Sequence, residues 1–443
     1  MTVVRDNPAD TAVEPVSSPR HWMLVAATMF AVAWGGNEFT PLLGMYRTDH
    51  GFSAVTVDLF LFAYVLGIVP ALLLGGPLSD RLGRRPILLP APVLTIVGSM
   101  LLAFGSDSAA LLIVGRILCG VALGLGMAVG GSWVKELSTA PWDPAAGAGA
   151  RRAAMSLTGG FGLGAGVAGV LAQWAPLPSV LSYAVHSAIA VGAAVALWRA
   201  PETRAAQPVS ERVSLVRDLA IPSASHKRFL FVIAPLAPWV FGTAAAAYAV
   251  LPSLMSRNTG GLPLAFSALM CMVGLGAGFA IQALGRKIDT PRNARAVVVS
   301  LVFVLAGMVA AVVAASALTV PLALVAAVVL GCGYGMAMVS GLQEIQRIAG
   351  PEDLAGLTAV FYSLTYLGFG TPVVMAYLSE TFPAVTYPRM FVFGAVAVAG
   401  CLALALTKWR SHLPTSEVTA DHIGGSVFSP SQESHSLRSD SSV

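Results

Sequence analysis

Long apolar runs alternate with short polar connections along this chain, and the lengths of the runs set the first expectation. A helix that crosses a bilayer needs about 20 mostly apolar residues. Twelve stretches approach or meet that length. Six precede the middle of the chain: Trp22 to Met45, Ala54 to Pro77, Ile87 to Phe104, Ala109 to Val134, Ala153 to Trp174 and Val180 to Leu197. Six follow it: Phe229 to Leu251, Pro263 to Leu284, Ala294 to Leu318, Val320 to Gln343, Leu354 to Leu378 and Val385 to Leu406. The third and sixth are short, and the ninth and tenth nearly fuse. The pattern predicts an all-α membrane protein of twelve transmembrane helices in two six-helix halves, residues 21–198 and 229–407. Between them, residues 199–228 form a polar linker. Residues 1–20 and 408–443 read as tails, the second serine-rich and expected to be disordered.

Composition agrees with a bilayer and charge orients the chain in it. Of 443 residues, 56% are hydrophobic and 11% charged, against roughly 25% charged in soluble domains. The polar, proline-bearing start and the length of the first apolar run do not fit a cleavable signal, so the N-terminus is expected to stay in the cytoplasm. Of the 26 Lys and Arg residues, all but Arg47, Arg116, Arg257 and Arg389 fall in the tails or in loops after even-numbered runs. Basic residues accumulate on the cytoplasmic side, so both termini and the linker are placed there. Cys119, Cys271, Cys332 and Cys401 each stand alone in an apolar run, without disulfide or metal-ligand spacing. The net charge of +4 implies no nucleic-acid surface, and no ATP-binding P-loop occurs. The strongly polar titratable residues of the runs, Glu38, Asp58, Arg116 and His186, are dispersed over four helices. An enzyme would need them clustered, so neither an enzyme nor a primary pump is expected.

The halves echo each other, as duplicated transporters do. Leu82-Gly83-Arg84-Arg85 recurs as Leu284-Gly285-Arg286-Lys287, Glu136 as Glu344, and Pro41-Leu42-Leu43 as Pro252-Ser253-Leu254. In the second copy Gln282 stands where the first has Asp80.

Between the second and third runs lies Gly76-Pro77-Leu78-Ser79-Asp80-Arg81-Leu82-Gly83-Arg84-Arg85-Pro86, a charged hinge in which Gly76 and Gly83 would permit a tight turn and close helix approach. It resembles the G-x-L-x-D-R-x-G-R-R/K loop of the major facilitator superfamily, and with the span pattern it identifies the chain as resembling that family from about Trp22 to Leu406. The resemblance implies alternating access around a central cavity. It also implies that Asp80, Arg81 and Arg84, with Gly76, Gly83 and Arg85, act as a gate. There the aspartate would meet the start of the eleventh span near Gly350-Pro351-Glu352-Asp353-Leu354, where a carboxylate faces the positive end of a helix dipole.

In the fourth run, Arg116 to Gly124 resembles the family's R-x-x-x-G-x-x-x-G stretch, associated with proton coupling. A guanidinium in hydrocarbon needs an interior partner. Glu38 and Arg116 each lie about seven positions from the outer ends of their helices, or roughly 10 Å at 1.5 Å per residue, so Glu38 is the candidate partner. The pair is expected to meet directly or through Asn37 and water. An arginine favours the charged carboxylate and loss of water the neutral acid, so a change of balance between states would couple proton binding to transport. A permanent structural salt bridge, or a Glu38 reaching the outer headgroups, is the alternative. Asp58 reads as a rim residue and His186 as a hydrogen-bonded packing residue.

Glycines of the fifth run, Gly159, Gly160, Gly162, Gly164, Gly166 and Gly169, suit tight helix pairs. The run loosely resembles the antiporter motif G-x-x-x-G-P-x-x-G-G, with Ala165 in place of its proline. Pro201-Glu202-Thr203-Arg204 resembles a segment of sugar and metabolite porters. Trp34, Asn37, Trp239, Tyr248 and Tyr334 are candidates to line the cavity. The expected function is that of a secondary transporter, resembling the twelve-span drug/proton antiporters, that exports small apolar or amphipathic compounds. The alternative is a proton symporter importing a sugar or other metabolite. No cofactor is expected beyond a proton gradient, and the partners are the substrate and the lipid bilayer around a monomer. An arginine-, alanine- and glycine-rich composition suggests a bacterial inner membrane.

Overall fold

The computed structural model describes residues 20–139, 148–208, 221–350 and 353–411. Most of both expected tails, the middle of the linker, and Pro351 and Glu352 lie outside the described residues. Among the described residues, eleven helices are long and apolar enough to cross a membrane. They are α2 (Ala54–Leu82), α3 (Arg84–Phe104), α4 (Ala109–Glu136), α5 (Ala148–Trp174), α6 (Pro178–Trp198), α7 (Phe229–Asn258), α8 (Pro263–Ile288), α9 (Arg295–Ala317), α10 (Val320–Ile348), α11 (Leu354–Thr381) and α12 (Tyr387–Thr407). The first span is broken. Helix α1 (His21–Asn37) gives way to a 3-10 turn at Thr40–Leu42 and a short helix at Leu43–Thr48. Pro41 causes the break, since it has no N–H to return to the Asn37 carbonyl. Leu42 N–H reaches back only to Phe39 O, at 3.1 Å.

The two halves repeat one packing plan. Helix α2 packs on α4 as α8 packs on α10, α3 on α4 as α9 on α10, α1 on α5 as α7 on α11, and α3 on α6 as α9 on α12. Between the halves, α2 meets α11 and α5 meets α8, the exchange that a two-fold pseudo-symmetry requires. Glycine sets the closest approaches at equivalent places. A Cβ on Gly120 would strike the α2 backbone at Tyr64, and one on Gly335 would strike the α8 backbone at Gly278. On α5, Gly160 and Gly164 lie against Phe30 and Trp34 of α1, whereas Gly166 and Gly169 lie against Met272 and Ala268 of the other half.

Burial inverts the pattern of a soluble protein. Leu66, Phe104, Phe393 and Val396 face outward, while Glu38, Arg116, His186, Arg228 and Glu344 are buried. Charge inside and hydrocarbon outside is what a lipid surround demands.

The hinge differs from the expected loop. Helix α2 does not stop at Pro77 but runs through Pro70 and Pro77 to Leu82, so the connection to α3 is Gly83 alone. That residue has φ +97° and ψ 162°, a region open essentially to glycine. Gly76 is mid-helix, and a Cβ there would meet nothing within 4 Å. Its expected role in close helix approach therefore falls to Gly83.

Candidate functional site

Where α1 breaks, Glu38 is carried into the first half with no exposed surface. Its Oε1 accepts a hydrogen bond from Ser99 Oγ of α3 at 3.1 Å and lies 3.1 Å from His186 Nδ1 of α6. Ser99 Oγ is also 2.7 Å from that nitrogen. The other imidazole nitrogen, Nε2, faces the Ala31 carbonyl at 3.0 Å. A carbonyl only accepts, so Nε2 carries a hydrogen, and in the neutral ring Nδ1 is then an acceptor. Two acceptors facing each other at 3.1 Å repel. The contact is favourable with a proton on it, either as the neutral acid against neutral imidazole or as carboxylate against imidazolium. Glu38 Oε2 has no hydrogen-bond partner among the described residues.

The partner expected for Glu38 is thus replaced. Arg116 is fully buried, donates from Nε to Phe60 O at 3.3 Å and from Nη1 to Gly36 O at 3.2 Å, and is sandwiched between the rings of Phe39 and Tyr64 at 4.7 and 4.2 Å. Main-chain carbonyls and aromatic faces do what a carboxylate was expected to do. Glu38 and Arg116 remain electrostatic neighbours, both acting on Tyr46, Tyr183 and Cys119. Asp58 is half-buried at the end of the bundle opposite the hinge, with Arg47 and Glu380 as its charged neighbours.

Beside Arg116 lies a cavity of about 30 Å³ shared by the halves, space for about two waters. The first half contributes Gly36, Asn37, Thr40, Tyr64, Arg116 and Phe161, and the second contributes Phe241, Tyr248, Tyr334, Tyr366 and Phe369. Of the five candidates from sequence, Asn37, Tyr248 and Tyr334 line it. Trp34 instead packs against Phe30 and the α5 glycines, and Trp239 stands outside the wall, half-buried on α7. Tyr64, Phe241, Tyr366 and Phe369 were not foreseen. Phe241, Tyr366 and Phe369 form a near-parallel array, with centroids 4.4, 4.9 and 6.0 Å apart.

A separate charge network stands at the hinge end of each half. Arg84 binds Asp80 Oδ1 at 2.8 Å and Glu136 Oε1 at 2.7 Å, while Glu202 of the Pro201–Arg204 segment accepts from the Arg84 and Arg85 main-chain N–H groups at 3.0 and 2.8 Å. Arg204 Nε lies 3.3 Å from Asp80 Oδ1. Asp80 is therefore engaged by its own half and the start of the linker, and Asp353, the residue before α11, accepts from Ser223. In the second half Arg228 donates to Glu344 at 2.9 Å, and Arg347 bridges Glu344 and Asp289. At the opposite end one amide joins the halves. Gln173 Oε1 accepts from Leu264 and Ala265 N–H at 3.1 and 3.3 Å, and its Nε2 donates to Gly261 O at 3.4 Å.

Two repeated helical halves around a shared cavity, with buried titratable groups beside it, define a membrane transporter rather than an enzyme. A sequence profile of the Major Facilitator Superfamily matches residues 23–371, and the chain belongs to that superfamily. It is 28% identical over 367 residues to a chloramphenicol resistance protein of Pseudomonas aeruginosa, covering 80% of this chain and 83% of that protein. Over 90 residues, 20% of each chain, it is 30% identical to the glucose transporter GlcP of Staphylococcus epidermidis. A POT family transporter solved in complex with 5-aminolevulinic acid superposes with a TM-score of 0.71 at 13% identity, covering 88% of this chain and 97% of that one. This last likeness is one of fold.

Proposed function

We propose that the chain is a proton-linked secondary transporter that exports small apolar or amphipathic compounds, exposing its cavity alternately to the two sides of a cell membrane with the hinge end cytoplasmic. The observation that carries this reading is the Glu38–His186 contact: a buried carboxylate and an imidazole nitrogen 3.1 Å apart, arranged so that a proton belongs between them. Glu38 sits at the break in α1, next to a cavity wall that moves if the halves rock. Rocking that opens the cavity and admits water to Glu38 releases the proton, and closure recaptures it. Arg116 holds the Gly36 carbonyl beside the same break and keeps a positive charge near the carboxylate. The similarity to a chloramphenicol resistance protein supports export.

The importer reading keeps one observation in its favour. Pro201–Arg204 is docked on the hinge through Glu202, and the chain shares a short stretch of similarity with a glucose transporter. The array of aromatic faces along the second-half wall weighs against a polyhydroxylated substrate.

The test is proton flux in proteoliposomes carrying a pH-sensitive dye, with chloramphenicol and other lipophilic compounds added. Compound-dependent proton movement is expected in the wild type and absent in Glu38→Gln, which cannot release the proton. Flux that persists in Glu38→Gln overturns the coupling, and glucose-driven flux in place of it favours import.

A further inference from the structure

The cavity's two walls differ in chemistry, and together they specify a ligand. This inference rests on the reading of that cavity as the substrate site. On the first-half wall, Asn37 is spent: its Nδ2 serves Phe161 O at 3.0 Å and Cys271 Sγ at 3.2 Å, and its Oδ1 takes the Thr40 hydroxyl at 2.9 Å. Two polar groups there are not spent. Arg116 and Tyr64 line the cavity, and their Nη2 and Oη atoms are buried with no hydrogen-bond partner among the described residues. The guanidinium only donates and the phenol readily does, so this wall asks for an acceptor. Both groups are fixed. Arg116 is clamped between two rings and two carbonyls, and Tyr64 Oη lies against Gly36, where a Cβ would collide with it.

The facing wall is the array of Phe241, Tyr366 and Phe369, whose planes lie within 20° to 25° of one another. Such faces favour a flat ring in offset or edge-on contact. Desolvation decides between an anionic and a neutral acceptor. A carboxylate would give up its water in this buried aromatic site for a guanidinium that already serves two carbonyls, a cost that can exceed the Coulombic gain, and a cation would enter beside that guanidinium.

We infer that the cavity takes a neutral, planar aromatic molecule bearing an acceptor oxygen, with the oxygen on Arg116 Nη2 and Tyr64 Oη and the ring against Phe241, Tyr366 and Phe369. Opening of the halves enlarges the small closed cavity to admit it, and closure brings donor wall and aromatic wall together on opposite sides of the same ligand.

Calorimetric titration of the purified full-length protein with four matched probes tests this. Benzamide has the ring and a neutral carbonyl, cyclohexanecarboxamide lacks the aromatic ring, benzoate is anionic, and benzylammonium is a cation without an acceptor. Benzamide is expected to bind tightest, with cyclohexanecarboxamide about fivefold weaker for want of aromatic contact and benzylammonium weakest. Tyr64→Phe, which removes one oxygen and keeps the ring beneath Arg116, is expected to weaken benzamide about fivefold. Phe241→Leu should narrow the gap between benzamide and cyclohexanecarboxamide. Equal binding of the two amides, tighter binding of benzoate or benzylammonium, insensitivity to Tyr64→Phe, or no saturable binding of any probe overturns the inference. Proton flux is a separate readout. A protein that moves protons but prefers benzylammonium loses the ligand class and keeps the coupling, and one that binds benzamide without moving protons does the reverse.

Discussion

The two halves place acid and base at the same end of the bundle, and they treat them differently. In the first half the Arg84 guanidinium, itself only 7% exposed, is shared by Asp80 and Glu136, whose side chains are 43% and 32% exposed, so the water in this cluster reaches its carboxylates. In the second half Arg228 and Glu344 are 0% and 1% exposed, with Arg347 and Asp289 extending the network. Wet ion pairs exchange readily and contribute little to stability, whereas a buried pair is costly to break because the surviving charge has no water to return to. The first cluster is therefore suited to opening and closing, and the second to holding α7, α10 and the α8–α9 connection as one body. The replacement of Asp80 by Gln282 in the second copy fits the same division.

Three substitutions break or sharpen this contrast, and the unfolding free energy in detergent measures each. Arg228→Met should have the largest effect, about 3 kcal/mol, the lower end expected for stranding a buried charge, because Arg347 still faces Glu344. Gly83→Ala comes next at about 2 kcal/mol. It forces a side chain into a glycine-only region, with its Cβ 2.9 Å from Glu202 Oε2. Asp80→Asn should cost less than about 1 kcal/mol, because Asp80 is 43% exposed and the buried Arg84 keeps Glu136 and Ser79 as partners, while lowering transport if the hinge is a gate. Equal losses for Asp80→Asn and Arg228→Met would erase the distinction between switch and brace.

Much of the fold was legible because bilayer thickness imposes a length on every span. The runs beginning at Ala54, Ala109, Phe229, Pro263, Val320 and Leu354 start where helices start. Helix ends were harder. Apolar composition marks where lipid stops, whereas α2 continues as a polar helix to Leu82 because Gly83, not Pro77, turns the chain. Individual site residues were visible as charges in apolar runs, but their partners were not. Depth along the helix put Glu38 level with Arg116, and it could not say which way each side chain points around the helix. His186 carried the same signal, a titratable group in an apolar run, yet a lone histidine does not announce that Ser99 and Glu38 converge on it. The aromatic wall escaped for a different reason. Phe241, Tyr366 and Phe369 look like any lipid-facing ring until the halves are brought together.

The joint made by Gln173 has a consequence of its own. A carboxamide neither titrates nor gathers counterions, so at that joint the α5–α8 seam is deaf to acid and to salt. Only water competing for its three hydrogen bonds loosens it. The α2–α11 seam, where Asp58 lies near Arg47 and Glu380, does hear both. The end of the bundle away from the hinge thus carries two fastenings that answer to different solvents, and a change of buffer can be felt by one while the other stays shut.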